Sequence, residues 1–259
     1  MMIQQLPDTA AGTQISAENV IDIRGLSKSF GQTNHVLNGV NFSVKKAENL
    51  VVLGKSGSGK SVLIKCIVGL IIPDKGEINV FGTSLTQISD SELNALRIRI
   101  GFLFQNAALY DSMTVRQNLE FPLKRHSKDL TESAINAAVE EALDNVGLAE
   151  AIDKMPSELS GGMRKRIGLA RTLILKPEII LYDEPTTGLD TITSREISEL
   201  IMEIQKKMKT TSIIITHDMA CARLTADRIV VIKGGEINAE GTYKTLENSK
   251  DEWVRSFFI

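Results

Sequence analysis

The sequence predicts an α/β fold with a mostly parallel sheet and helices on both of its faces. Three observations carry this expectation. Asn49–Leu53 is a short run, apolar after its first residue, that stops at Gly54 and gives way to a helical pattern, as a buried parallel strand does. Three later apolar runs follow it, at 178–184 (EIILYDE), 211–218 (TSIIITHD) and 228–237 (RIVVIKGGEI). Strands that alternate with helices bury both sheet faces, and parallel pairing follows from the crossovers.

In chain order, residues 1–18 are polar and aperiodic and are expected to form a flexible tail. VIDIRGLSKSF (20–30) alternates apolar and polar residues, and NHVLNGVNFSVKKAENLVVLG (34–54) continues the strand-rich section with Val36, Leu37, Val40, Phe42 and Val44 on its apolar side. Residues 61–70 read as a helix. From 104 to 165 the pattern becomes that of a helical insertion, in which Ile135, Val139, Ala142, Leu143 and Val146 share one face. Thr131 supplies an N-cap for it and Gly147 a stop.

Bulk properties exclude several classes. A net charge of −2 gives no positive excess that would favour nucleic acid or an anionic membrane surface. The two cysteines, Cys66 and Cys221, have no metal-type spacing and read as reduced, buried thiols. The most apolar stretch, 62–72, is broken by Lys65 and falls short of the ~20 residues of a membrane span. The N-terminal residues lack the basic and apolar regions of a signal peptide, which leads to a cytoplasmic expectation.

The chemistry gathers in a few motifs. Gly54, Lys55, Ser56, Gly57, Ser58, Gly59, Lys60 and Ser61 fit G-x-x-x-x-G-K-[ST] between a strand and a helix. Such a loop turns its N–H groups inward on a phosphate at a helix N-terminus. Lys60 would reach the terminal phosphates, and Ser61 would ligate Mg²⁺. Asp183 and Glu184 close an apolar strand, where the first suits a metal and the second an attacking water. His217 also ends a strand; a structural role is open to it, but the same sheet edge favours work on the γ-phosphate. Gln105 in GFLFQNAALYD reads by itself as an ordinary surface glutamine. A second anion-type turn, Ser160, Gly161 and Gly162, opens the basic helix SGGMRKRIGLAR.

In this order, the loop, Gln105, LSGGM (159–163), YDEP (182–185), TGLD (187–190) and His217 make the chain resemble ABC-type ATPases from about residue 20 to 258. The resemblance implies a P-loop ABC ATPase core over 19–247, with an antiparallel β subdomain and an α-helical subdomain at about 104–165. It implies ATP and Mg²⁺ as ligands, Phe30 stacked on adenine, and Ser61, Gln105 and Asp183 around the metal. Glu184 and His217 become the hydrolytic pair. In this family two cassettes face head to tail, so Ser160, Gly161 and Gly162 would serve the partner's ATP and Asp190 would cross the dimer interface.

Glutamine usually follows Ser-Gly-Gly in ABC cassettes, and Met163 departs from that pattern. With LFQNAALYDSMTVRQNLEFPL (103–123) and DEWVRSFF (251–258), this variant is similar to cassettes that drive MCE-linked, Mla-type phospholipid transporters. That similarity implies a permease, an MCE-domain protein and a small regulatory subunit as partners, with the ATPase peripheral on the inner face of the cell membrane. Ala107, Ala108, Leu109 and Tyr110 are candidates for a permease groove, or else core of the insertion. Residues 248–259 are expected to be a partner-docking tail, although Trp253, Val254, Phe257 and Phe258 suit their own core equally. An importer ATPase for another substrate, or a soluble Fe–S-assembly ATPase, are the competing expectations.

Overall fold

The computed structural model describes residues 19–31, 34–127 and 129–258, so the expected tail at 1–18 lies outside the described residues. The elements run β1 (Asn19–Phe30), β2 (Asn34–Lys45), β3 (Asn49–Leu53), α1 (Lys60–Ile67), β4 (Lys75–Val80), β5 (Thr83–Ser84), α2 (Asp90–Ile98) and β6 (Ile100–Leu103). The insertion follows with α3 (Val115–His126), α4 (Glu132–Asp144) and α5 (Gly161–Leu173). The chain then continues through β7 (Ile179–Asp183), α6 (Thr191–Met208), β8 (Thr211–Ile215), α7 (Met219–Thr225), β9 (Arg228–Lys233), β10 (Glu236–Gly241), α8 (Tyr243–Glu247) and α9 (Glu252–Arg255).

Two sheets form. One is antiparallel, in the order β2-β1-β4-β5; the other has six strands, in the order β10-β9-β3-β8-β7-β6. In the larger sheet β9, β3, β8, β7 and β6 are parallel, and β10 joins β9 antiparallel. β3 is buried throughout, and its residues alternate between two cores. Leu50 and Val52 join α1, α2 and the antiparallel sheet in one core, while Val51 and Leu53 join the insertion and α6 to α9 in the other.

Helices thus cover both faces as expected, and on the α1–α2 face the antiparallel sheet joins them. The run 228–237 is not one strand. Gly234 and Gly235, with φ of 57° and 83°, turn it into a two-residue hairpin. The helix expected at 61–70 closes earlier, at Ile67, and Gly69 then takes φ 67°.

Local chemistry explains the insertion. Thr114 and Gln117 close a capping box at the start of α3, and Thr131 Oγ1 accepts from Ala134 N to start α4. Beyond α4, Leu148 N donates to Leu143 O and Gly147 N to Asp144 O, the paired bonds of a Schellman end. The apolar face of α4 is buried as its spacing predicts. Asn118, fully buried, accepts from Tyr110 N at 2.8 Å and donates from Nδ2 to Tyr110 O, Met113 O and Thr114 O. That side chain fixes the connection that leads from β6 into α3.

The C-terminal residues lie on their own domain. Val254 is buried in the larger core, and Trp253, Phe257 and Phe258 are partly buried against it. Trp253 meets Phe257 edge-on, Phe258 meets Tyr243 edge-on, and Lys233 Nζ lies 4.5 Å from the Trp253 ring centre.

Candidate functional site

β3, β8, β7 and β6 are neighbours, and their carboxyl ends lead to Gly54, His217, Glu184 and Gln105 respectively. In a parallel sheet this edge is the natural ligand site. A cavity of about 650 Å³ opens there, lined by Phe30, Val36, Ser56, Gly57, Ser58, Gly59, Lys60, Ser61, Val62, Gln105, Glu184, Thr187 and His217. Phe30 is 46% exposed, with Lys28 Nζ 5.5 Å from its ring centre. Val36, expected on the apolar side of its strand, and Val62 on α1 line the cavity without having been expected there.

The loop's shape is set by close approach. Gly59 precedes α1 with φ 97°, and a Cβ there would lie 2.5 Å from Val36 O. Lys60 is buried, with Nζ donating to Gly54 O at 2.8 Å and Lys55 O at 3.2 Å. Burial pulls its ammonium below the ordinary lysine range, against the opposing pull of Glu184 and Asp183. Ser58 Oγ is buried without a hydrogen-bond partner among the described residues, as a donor reserved for an anion would be.

The acids meet the loop directly. Ser61 Oγ donates to Asp183 Oδ1 at 2.9 Å, and Asp183 is buried. Hard oxygens so placed, with the Gln105 side chain on the same cavity, suit Mg²⁺ that keeps water and phosphate ligands. Glu184 adopts φ 52° and donates its N–H to Ile215 O at 2.9 Å. Its Oε2 accepts from Thr187 Oγ1 at 3.1 Å and pairs with His217 Nδ1 at 2.7 Å. In the tautomer with the proton on Nδ1, the ring donates to this carboxylate oxygen and turns Nε2 away from it. His217 itself is exposed at the rim.

Ser160, Gly161, Gly162 and Asp190 are not brought to this cavity. Ser160 caps α5, its Oγ accepting from Met163 N at 3.2 Å, and both Ser160 and Gly161 are exposed. The hydroxyl proton and the first N–H groups of α5 remain available to an outside anion. Met163 is partly buried against the larger core, so its role within this chain is packing. Asp190 Oδ1 accepts from Ile192 N and Thr193 N, each at 3.0 Å, to start α6. The hydrogen bonds from Thr193 N–H and its hydroxyl hold this carboxyl below the usual range. The four groove candidates divide: Ala107 is buried, Leu109 half-buried, and Ala108 and Tyr110 exposed.

One contact went unread in the sequence. Lys165, in a run of basic residues, is buried and donates to Gln105 O at 2.5 Å and Glu184 O at 3.1 Å. Nothing in the charge pattern separates it from Arg164 and Arg166.

Among the described residues no helix is long and apolar enough to cross a membrane. The family model described as ABC transporter matches residues 37–187. The chain is 41% identical over 237 residues to the probable ribonucleotide transport ATP-binding protein mkl of Mycobacterium leprae (strain TN), covering 92% of this chain and 68% of that one. It is 38% identical over 263 residues to the chloroplastic protein TRIGALACTOSYLDIACYLGLYCEROL 3 of Arabidopsis thaliana, covering 95% and 75%. It is also 40% identical over 226 residues to the methionine import ATP-binding protein MetN of Rhizobium johnstonii (strain DSM 114642 / LMG 32736 / 3841), covering 87% and 62%. Among solved structures, the dimeric structure of MJ0796, a bacterial ABC transporter cassette, superposes with a TM-score of 0.79 at 31% identity, over 86% of this chain and 98% of that one.

Proposed function

Because the chain belongs to the ABC transporter family and is an ATPase, we propose that it is the nucleotide-binding subunit of an ABC transporter, working as a head-to-tail pair of copies. The observation that carries this reading is the separation of two anion-type sites on one chain. The cavity holds a phosphate loop, a carboxylate and a histidine, whereas the Ser160 turn faces outward elsewhere. A site split in this way is complete when a second copy brings its Ser160 turn to the first copy's cavity. The solved relative described as dimeric supports pairing of two copies.

In the proposed cycle, ATP lies with its base on Phe30 and its phosphates in the loop, where Lys60 Nζ turns from Gly54 O and Lys55 O to the terminal phosphates. Ser61, Asp183 and Gln105 would hold Mg²⁺, which when bound supplies charge neutralisation for phosphoryl transfer. Glu184 accepts a proton from water as the water oxygen attacks the γ-phosphorus and the bond to ADP breaks. His217 fixes the carboxylate through Nδ1 and meets the γ-phosphate or the water through its other face. Ser160 and the N–H groups of Gly161 and Gly162 from the second copy complete the phosphate's surroundings. Release of phosphate then loosens the pair, and exposed Ala108 and Tyr110 beside Gln105 offer a permease the surface through which that motion passes.

For the transported substrate we favour a phospholipid, moved with a permease, an MCE-domain protein and a small regulatory subunit at the inner face of the cell membrane. The Met163-bearing turn and the relative named for a galactolipid support this. The relatives named for ribonucleotide transport and methionine import favour a second reading, the same subunit serving another substrate.

Two experiments test these readings. Glu184→Gln should keep ATP bound, lose hydrolysis and accumulate as a dimer on size exclusion, while Lys60→Ala should lose ATP binding. Normal turnover by Glu184→Gln would remove Glu184 from the role of base. For the substrate, the tagged protein purified from detergent-solubilised membranes should carry a multi-span permease and an MCE-domain protein. A permease with a soluble amino-acid-binding partner would favour the second reading, and a soluble complex without a permease would overturn both.

A further inference from the structure

We infer that Lys165 is a positioning residue that ties the Ser160 turn to the hydrolytic carboxylate within one chain. The inference rests on the reading of Glu184 as the base. It starts from an unfavourable fact: Lys165 carries an ammonium at 6% exposure, and both of its hydrogen-bond partners are carbonyls, Gln105 O at 2.5 Å and Glu184 O at 3.1 Å. A buried cation bonded to neutral groups is expensive to keep. Burial accordingly draws this ammonium below the ordinary lysine range, against the stabilising charges of Asp183 and Glu184.

What the cation holds explains its place. Glu184 sits at φ 52°, a conformation that is strained for a non-glycine residue and that the surroundings must therefore enforce. Its N–H is fixed to β8 through Ile215 O, and its carboxylate to Thr187 and His217. Its carbonyl is fixed to α5 by Lys165. The same ammonium holds the backbone of Gln105, whose neighbours Ala107 and Ala108 also have positive φ, 58° and 50°. Further along α5, Gly168 leaves room for Ala107, since a Cβ there would lie 2.7 Å from Ala107 Cβ, and Arg171 donates to Ala107 O at 3.4 Å. One side of α5 thus grips the whole Gln105 segment, while its first residues present the outward Ser160 turn. When that turn engages the other copy's phosphate, any shift of α5 is carried by Lys165 to the backbone of both Gln105 and Glu184.

The test compares Lys165→Met and Lys165→Arg in the full chain. For Lys165→Met we expect kcat for ATP hydrolysis to fall at least tenfold, with KM and the affinity for a fluorescent ATP analogue within about twofold of the parent. Lys165→Arg, which keeps the cation, should recover part of kcat. In a Glu184→Gln background, Lys165→Met should leave the ATP-trapped dimer intact, because Lys165 bonds to Gln105 and Glu184 and to no residue of the phosphate loop. Unchanged kcat in Lys165→Met would overturn the inference, as would parallel loss of kcat and nucleotide affinity without recovery by arginine. Should Lys165→Met fail to fold, Lys165→Gln carries the same comparison. The Glu184→Gln single variant separates the two readings: if it hydrolyses ATP normally, the assignment of the base fails first.

Discussion

At Gly59 a single methyl group is enough to close the loop. Its left-handed backbone and the 2.5 Å approach to Val36 O mean that Gly59→Ala must push β2 away from α1. We expect ATP affinity to fall more than tenfold and stability by about 1–3 kcal/mol, read by equilibrium binding and urea unfolding. The thiols give a pH prediction. Burial raises both Cys66 and Cys221 to about 11, so the folded state holds their protons longer than the unfolded chain does. Their stabilisation is complete below the unfolded thiol value near 9 and is lost as pH rises toward 11. Urea midpoints should fall over that window, and a Cys66→Ala/Cys221→Ala protein should show a flatter decline. The phosphate loop and the strand-end acids of the cavity were legible because glycine, lysine and carboxylate at strand ends have few other uses, whereas Gln105 and Val36 carry no such mark. Lys165 was not legible either, because a lysine flanked by two arginines on a helix reads as a solvated face, and burial of a charge leaves no mark in composition.

The elements that carry these residues are held by a small number of buried contacts. Gly168 on α5 is one: alanine there would be the better helix former, yet its methyl would meet Ala107 Cβ at 2.7 Å. Gly168→Ala should therefore destabilise by about 1–3 kcal/mol by overpacking, measured by urea unfolding, and shift the Gln105 segment with it. Asn118 is another, and Asn118→Ala should loosen the start of α3, visible as faster amide exchange across Tyr110, Met113 and Thr114. α4 was legible from its spacing and caps, because a buried amphipathic helix writes both into sequence. The hairpin between β9 and β10 was misread as one strand: apolar residues run up to Lys233 and Ile237 follows the turn, so alternation alone hides the reversal at Gly234 and Gly235. β5 is two residues long, too short for any period to be seen.

For the whole molecule, the proposed shared site makes a quantitative claim about mixtures. Ser160→Arg should bind ATP without hydrolysing it, and mixing it with Lys60→Ala should restore part of the activity through one intact composite site. No recovery at high protein concentration would count against head-to-tail pairing. The antiparallel subdomain was expected from the resemblance, but which face of the large sheet it covers depends on long-range packing that no local pattern records. That layering makes sequence neighbours thermodynamic strangers. Val51 and Val52 are adjacent yet belong to different cores, whereas Val51 and Ile214 are 163 positions apart, paired in register and in the same core. In double-mutant cycles with alanine, the adjacent pair should sum to within about 0.5 kcal/mol, and the distant pair should show a coupling energy of about 0.5–3 kcal/mol. β3 thus works as an insulating partition, across which a sequence can change one compartment of its interior without renegotiating the other.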